Sequence, residues 1–214
     1  MNIIFNFLSS LLNSIFNFTG DWGLAIVLLT LGVRLVLSPM SFKQKKSMQQ
    51  QQKFAIKMQE IKEKYKNNKD KLEVELKKQS VQSAKSMMGC LVTLLQLPIL
   101  ITMWSVFNKI PVSVGTYLIP WVSSIKFSDS YYIVPLIYVI VSLAPSLLSY
   151  VPLLKIEGQA TISKSNIIIM AVVGVLVAKA APIAVGIYLI TTSVFNFLEE
   201  LVFRIYMRNV KTEK

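Results

Sequence analysis

Apolar residues along this chain fall into long uncharged runs, separated by one densely charged stretch. The runs at 22–42, 87–107 and 131–151 each have about the 20 residues that a bilayer-spanning helix needs. A further run, 167–198, would be about 48 Å long as a single helix, too long for one crossing. Lys179, Ala180, Ala181 and Pro182 interrupt it near its middle. That break predicts a tight turn between two short tilted spans, giving five transmembrane helices. Ahead of the first span, Asn2, Asn6, Ser9, Asn13 and Asn17 recur at helical spacing. Ile4, Phe5, Leu8, Leu11, Leu12, Ile15 and Phe16 fill the other side. This pattern predicts an uncharged amphipathic helix lying in the membrane interface. A signal peptide would need a basic start and a small-residue cleavage site, and the pattern offers neither.

Between the first two spans the period changes. Phe54, Met58, Ile61 and Tyr65 form an apolar seam at spacings of four, three and four, on a helix ending near Lys66. Asn67, Asn68, Lys69 and Asp70 signal a turn, and Leu72, Leu76 and Val81 mark a second seam. The expectation is an antiparallel helical hairpin. The predicted layout is an interfacial helix at 1–20, a first span at 21–42, the hairpin at 43–86, spans two to five at 87–203, and a basic tail at 204–214. The fold class is an all-α membrane protein.

Composition narrows the function. The chain is 53% hydrophobic with a mean hydropathy of +0.54. It has no histidine and one cysteine, Cys90, inside an apolar run. Metal clusters, disulfides and Cys/His nucleophiles are therefore not expected. No nucleotide motif or acid/base cluster stands out, so neither an enzyme nor a cofactor is expected. The net charge of +12 could suggest nucleic acid, but thirteen of the 23 basic residues lie within 43–85. Charge so placed fixes orientation: basic segments stay in the cytoplasm. The hairpin and the tail, with Arg204, Arg208, Lys211 and Lys214, are then inside. Residues 108–130, with only Lys109 and Lys126, are outside. Five spans put the start outside and the end in the cytoplasm. The hairpin's basic faces suit anionic lipid headgroups or ribosomal RNA.

Arg34 carries the functional argument. It lies about 18 Å into the first span, too deep to snorkel easily. A charge there costs from about 3 kcal/mol on insertion scales to more than 10 in simulation. No span holds an acid; Glu199 and Glu200 stand only at the inner end of the fifth. Arg34 therefore needs water or dipoles. Thr30, Ser38, Thr93, Gln96, Thr102, Ser142, Ser146, Thr191, Thr192, Ser193 and Asn196 could line a hydrated cavity with it. The plainer reading of any single Ser or Thr is that it bonds its own helix backbone. Pro98, Pro135, Pro145, Pro152 and Pro182 favour kinked helices around such a pocket.

Particular motifs then point to a family. Trp22-Gly23-Leu24-Ala25-Ile26, Leu29-Thr30, Val33-Arg34 and Ser38-Pro39 resemble the first core helix of YidC insertases. Gln59-Glu60-Ile61 with Lys64-Tyr65-Lys66-Asn67 is similar to that family's cytoplasmic hairpin. Gly89-Cys90-Leu91 and Leu94-Leu95-Gln96-Leu97-Pro98-Ile99 are similar to its second core helix. The resemblance runs from about Gly20 to Glu200. It implies five core helices around a hydrophilic groove open to the cytoplasm and lipid but closed outside. It also implies insertion of membrane proteins without ATP, alone or beside the Sec translocon. Arg34 matches the groove arginine, Thr30 the polar residue one turn before it, and Tyr188 a groove aromatic. Gln96, Ser193, Met103 and Trp104 complete the expected groove, and the client's apolar segment leaves past Met103 and Trp104. Implied partners are nascent membrane protein clients, the ribosome, the Sec translocon and the bilayer. The implied location is the bacterial plasma membrane. Departures include Val92 for a proline, Ala184 for a glycine, and Glu199-Glu200 for a Gln pair. Two other readings fit the residues: a small anion-binding transporter, and a structural subunit for membrane assembly.

Overall fold

A computed structural model of the chain describes residues 2–66, 101, 104–107, 114–154, 167, 168, 172, 174, 175, 179 and 181–212. Among these residues every regular element is helical: α1 (Asn2–Thr19), α2 (Trp22–Lys64), α3 (Ile133–Leu147) and α4 (Ile183–Thr212). Two single 3-10 turns, Leu148–Tyr150 and Pro152–Leu154, follow α3. Three of these helical stretches are long and apolar enough to cross a membrane. The hairpin's turn and second helix, most of the second span and Cys90 lie outside the described residues.

Helix α1 ends where Gly20 adopts φ +69, and its N–H donates to the Phe16 carbonyl at 2.7 Å. A left-handed residue after a helix favours glycine because no Cβ collides with the preceding turn. The chain reverses there, so Phe16 stacks on Trp22 with ring centroids 4.1 Å apart. Leu8 and Leu12 are buried in the core, while Asn6, Asn13 and Asn17 are exposed. Phe7 and Phe18 are exposed too. The helix thus has an apolar edge besides the one it packs, as an element lying on a membrane requires.

Asp21 starts α2. Its Oδ1 accepts from the Leu24 N–H at 2.8 Å, an N-cap bond that satisfies a donor the first turn leaves open. The helix then continues through Pro39 to Lys64. The boundary expected at 42/43, between span and hairpin, is not a break in the helix. Proline removes one backbone bond, and nothing in Met40–Gln52 forces a turn. At 43 residues α2 is about 65 Å long, so about half of it projects beyond a hydrocarbon core about 30 Å thick. On this projecting part Phe54, Met58, Ile61 and Tyr65 are each half-buried, while Lys53, Lys57, Glu60 and Lys62 are exposed.

Helices α2, α3 and α4 run in the same direction. Arg34 meets Asn196, and Phe42 meets Phe203 and Tyr206, so α2 and α4 advance together. Val134, at the start of α3, faces Gly186, near the start of α4. A Cβ on Gly186 would lie 2.6 Å from a Val134 methyl, so the two helices touch closely there. Gly174 lies beside Tyr138 and Val139, and Lys179 sits over the Tyr132 ring at 5.4 Å. These two residues therefore advance opposite to α3. Ala181 forms a bend before α4 begins at Ile183, within the break the sequence places at 179–182.

Loop 114–132 is pinned to the starting ends of these helices. Asp21 accepts from the Thr116 hydroxyl and the Tyr117 N–H, each at 2.8 Å. Asp129 accepts from Val134 N–H at 2.8 Å and Tyr131 N–H at 3.0 Å, capping α3. The Phe127 and Ile125 carbonyls accept from Ile183 and Ala184 N–H at 2.9 Å, capping α4. Tyr117, Trp121, Phe127, Tyr131 and Tyr132 are exposed around the loop, the arrangement of an aromatic belt at a membrane surface.

Gly23 provides a test of this junction. A Cβ there would fall on the Thr116 hydroxyl, whereas one on Gly32 meets nothing within 4 Å. Gly23→Ala should therefore destabilise the protein by about 1–3 kcal/mol, the usual cost of overpacking. Gly32→Ala should be neutral or mildly stabilising, since alanine is the better helix former. Thermal unfolding in detergent checks both; equal midpoints for the two variants would show that the loop does not hold α2 here.

Candidate functional site

The buried residues of α2 and α4 divide along the helix axes. On α2 they begin apolar, with Trp22, Ala25, Ile26 and Leu29, and then become Thr30 and Arg34. On α4, Ile183, Ala184, Val185, Ile187 and Tyr188 give way to Thr191, Thr192, Ser193, Glu199 and Arg204. Val106, Phe107, Ile119 and Ile125 join the apolar half. Beneath the outer loop, with its buried Asp21, Thr116, Ser124 and Asp129, the helices thus enclose an apolar core, and towards their other end the interior is mainly polar, with Phe203 as the buried apolar residue of α4 there. A globular core has no reason to be sorted this way, because burying polar groups is costly wherever it happens.

Arg34 stands just past the boundary, 8% exposed. Its Nη1 donates to Asn196 Oδ1 at 3.4 Å, beyond the usual range for such bonds. Asn196 is its one side-chain partner among the described residues. Neither acid at the end of the span is its counter-ion here. Glu200 binds Lys45 Nζ at 2.9 Å and Arg204 Nε at 2.8 Å. Arg204 also donates to the Leu154 carbonyl at 3.0 Å, tying α4 to the end of the α3 region. Arg204, where the sequence reading begins the basic tail, is nearly buried, and α4 runs on from it to Thr212. Glu200 one turn earlier supplies the charge that makes this burial tolerable.

Thr30 is buried, and its hydroxyl donates to the Ile26 carbonyl at 2.6 Å. Thr191 does the same to Ile187 at 2.8 Å. These hydroxyls satisfy their own helix, the plainer of the two readings. Thr192 does not: its Oγ1 is sealed from solvent and has no hydrogen-bond partner among the described residues. Ser193 is buried beside it. Tyr188 is buried at the inner edge of the apolar half, its ring centroid 6.3 Å from that of Phe107. Trp104 is exposed. Gln96 and Met103 lie outside the described residues. The structure therefore brings Arg34, Thr30, Tyr188 and Ser193 to one interior. Beside them stand Asn196 and Thr192, which the sequence offered among the polar residues that could line a cavity, and Glu199, one of the two acids at the end of the fifth span. No group of His, Cys, Asp and Glu able to hold a metal ion occurs among the described residues.

Comparison with known proteins agrees with this architecture. A family model described as 60Kd inner membrane protein matches residues 14–211. A protein of Wolinella succinogenes named membrane protein insertase YidC is 41% identical over 129 residues, 59% of this chain and 24% of that relative. One of the same name from Aquifex aeolicus is 38% identical over 125 residues, again covering 24% of its length. Another, from Caldanaerobacter subterraneus, is 27% identical over 216 residues, covering 100% of this chain and 98% of the relative. The chain thus spans about a quarter of the first two relatives and nearly all of the third. With apolar membrane-crossing helices and a family match over almost its whole length, this chain is a multi-pass bacterial membrane protein that belongs to the YidC family.

Proposed function

We propose that the protein inserts the transmembrane segments of other proteins, using a hydrated groove around Arg34 that opens to the cytoplasm and is closed outside. The observation that carries this reading is the buried arginine with one long bond to Asn196, at the boundary between dry and polar halves of the interior. An insertase has to bring a client's polar flank part-way through oil, which is costly in bare lipid. A wet inner half shortens that path. The dry outer half, with loop 114–132 pinned over it, keeps ions from leaking. Arg34 draws in the client's polar or acidic tail, and its apolar segment moves sideways past Trp104 into lipid. Burying that segment drives the step, so no ATP is needed.

Helix direction supports a reading of five crossings. Three helices running the same way call for two return crossings, within 65–113 and 155–180, and Gly174 and Lys179 already advance in the return direction. The Lys/Arg asymmetry puts the loop 114–132 outside and the end of α4 in the cytoplasm. Reporter fusions at Lys69 and Lys126 should therefore report opposite sides; the same side for both would remove this topology. Clients, the ribosome through the basic hairpin, and the Sec translocon are the partners this role implies.

Reconstitution tests the function. Purified protein in nucleotide-free liposomes should protect a single-span client from external protease in proportion to protein added. Anion flux without client insertion would favour a transporter instead. Neither activity would leave a structural assembly subunit.

A further inference from the structure

Glu199 has a feature that insertion around Arg34 does not use. It is 7% exposed, and its Oε1 is sealed from solvent without a hydrogen-bond partner among the described residues. The two cations Lys45 and Arg204 both bind Glu200. Thr192, 8% exposed, also keeps a sealed hydroxyl oxygen without a partner among the described residues. Thr192, Asn196 and Glu199 are spaced four and three apart, so they share one stripe of α4. The middle member of that stripe holds Arg34. Two buried polar atoms with open valences, flanking the residue that touches Arg34, mark a surface built for a polar occupant.

Depth gives that occupant a sign. Arg34 reaches Asn196, and Glu199 lies three residues further along α4, about 4.5 Å. The interior thus carries a cation first and a carboxylate about 4.5 Å nearer the cytoplasm. We propose that Glu199 is a specificity-determining residue, which holds a lysine or arginine on the cytoplasmic flank of a client segment after Arg34 has drawn in its acidic or polar tail. The inference rests on the insertase reading above. A carboxylate oxygen with an open lone pair makes a charge-assisted bond to an ammonium or guanidinium, roughly twice as strong as a neutral one. A basic flank so held stays behind as the tail advances, and the client is oriented with its positive end in the cytoplasm.

Glu199→Gln removes the charge and keeps the shape; Glu199→Asp keeps the charge. Both are compared with the unaltered protein in liposomes, using one single-span client whose inner flank carries two lysines, two aspartates or two glutamines. Glu199→Gln should insert the lysine client about tenfold less well and the glutamine client equally well, with Glu199→Asp recovering most of the loss. An unchanged lysine client overturns the proposal. So does an effect confined to the aspartate client, which would make Glu199 the counter-ion of Arg34. Equal losses for all three clients with a lowered thermal midpoint would assign Glu199 a structural role and also overturn it. Failure of the unaltered protein to insert any client would remove the insertase reading itself.

Discussion

Replacing Asp21 with alanine is expected to lower the unfolding free energy in detergent by about 3–5 kcal/mol, the largest stability loss of any single polar substitution outside the inner half. One carboxylate makes three bonds of 2.8 Å: to Leu24 N–H, to the Thr116 hydroxyl and to Tyr117 N–H. Losing the first is the loss of an N-cap, about 1 kcal/mol. The other two donors come from a loop 95 residues away, and Asp21 and Thr116 are 4% and 8% exposed. The Thr116 hydroxyl would lie buried with no acceptor, at about 1–3 kcal/mol, and the partly exposed Tyr117 N–H would lose a bond at about 1 kcal/mol. Asp21→Asn should cost less but not nothing, because its amide NH2 would turn a donor towards a donor. Thermal unfolding of Asp21→Ala, Thr116→Val and the double variant checks this. The double variant should cost clearly less than the two singles added, since both remove the same bond. A loss near 1 kcal/mol with full additivity would mean that Asp21 only caps α2 and does not hold the outer loop.

The legible and the illegible parts of this molecule separate by range. The break at Lys179–Pro182, the start of α2 at Trp22 and the extent of α3 are local: hydropathy and a proline mark them, and the structure has them there. The seam of Phe54, Met58, Ile61 and Tyr65 was equally local, and all four are half-buried. The continuity of α2 across residue 42 was not legible, because hydropathy reports which solvent a residue meets and not whether the helix goes on. The cap at Asp21 has a sequence signature; its grip on Thr116 has none. Arg34 itself announced a polar interior by its cost. That its partner is Asn196, 162 residues on, depends on how α2 and α4 pack. The same packing gives Glu200 to Lys45 and Arg204, leaving Glu199 open. Two adjacent glutamates look identical in sequence, and only the 100° turn between them on α4 sends them to different surroundings.

Changing Arg34 to alanine should reduce insertion of clients with acidic tails at least tenfold, while Arg34→Lys keeps most of the activity. Opposite charges about 4 Å apart interact by about 4 kcal/mol at an effective dielectric of 20, and a partly wet groove delivers less. Tenfold corresponds to about 1.4 kcal/mol, a modest share of that interaction. Lysine serves because the site does not use the guanidinium's fork: the one bond to Asn196 comes from a single nitrogen at 3.4 Å. Where a site grips arginine by two parallel bonds, lysine fails. Neutral-tailed clients should lose little with Arg34→Ala, since their tails have no charge to attract. Stability should move the other way. Removing a cation that meets no acid among the described residues relieves a desolvation cost, so Arg34→Ala should unfold at a higher temperature than the unaltered protein. Insertion and stability then change in opposite senses, which a structural arginine could not produce. If Arg34 were a packing hub, both substitutions would lower the thermal midpoint and insertion would fall for every client. The measurement is insertion of one client with neutral and acidic tails by each variant at matched protein levels, beside thermal unfolding of the same preparations. Equal insertion of the acidic client by the alanine variant and the unaltered protein would remove electrostatic attraction from the mechanism.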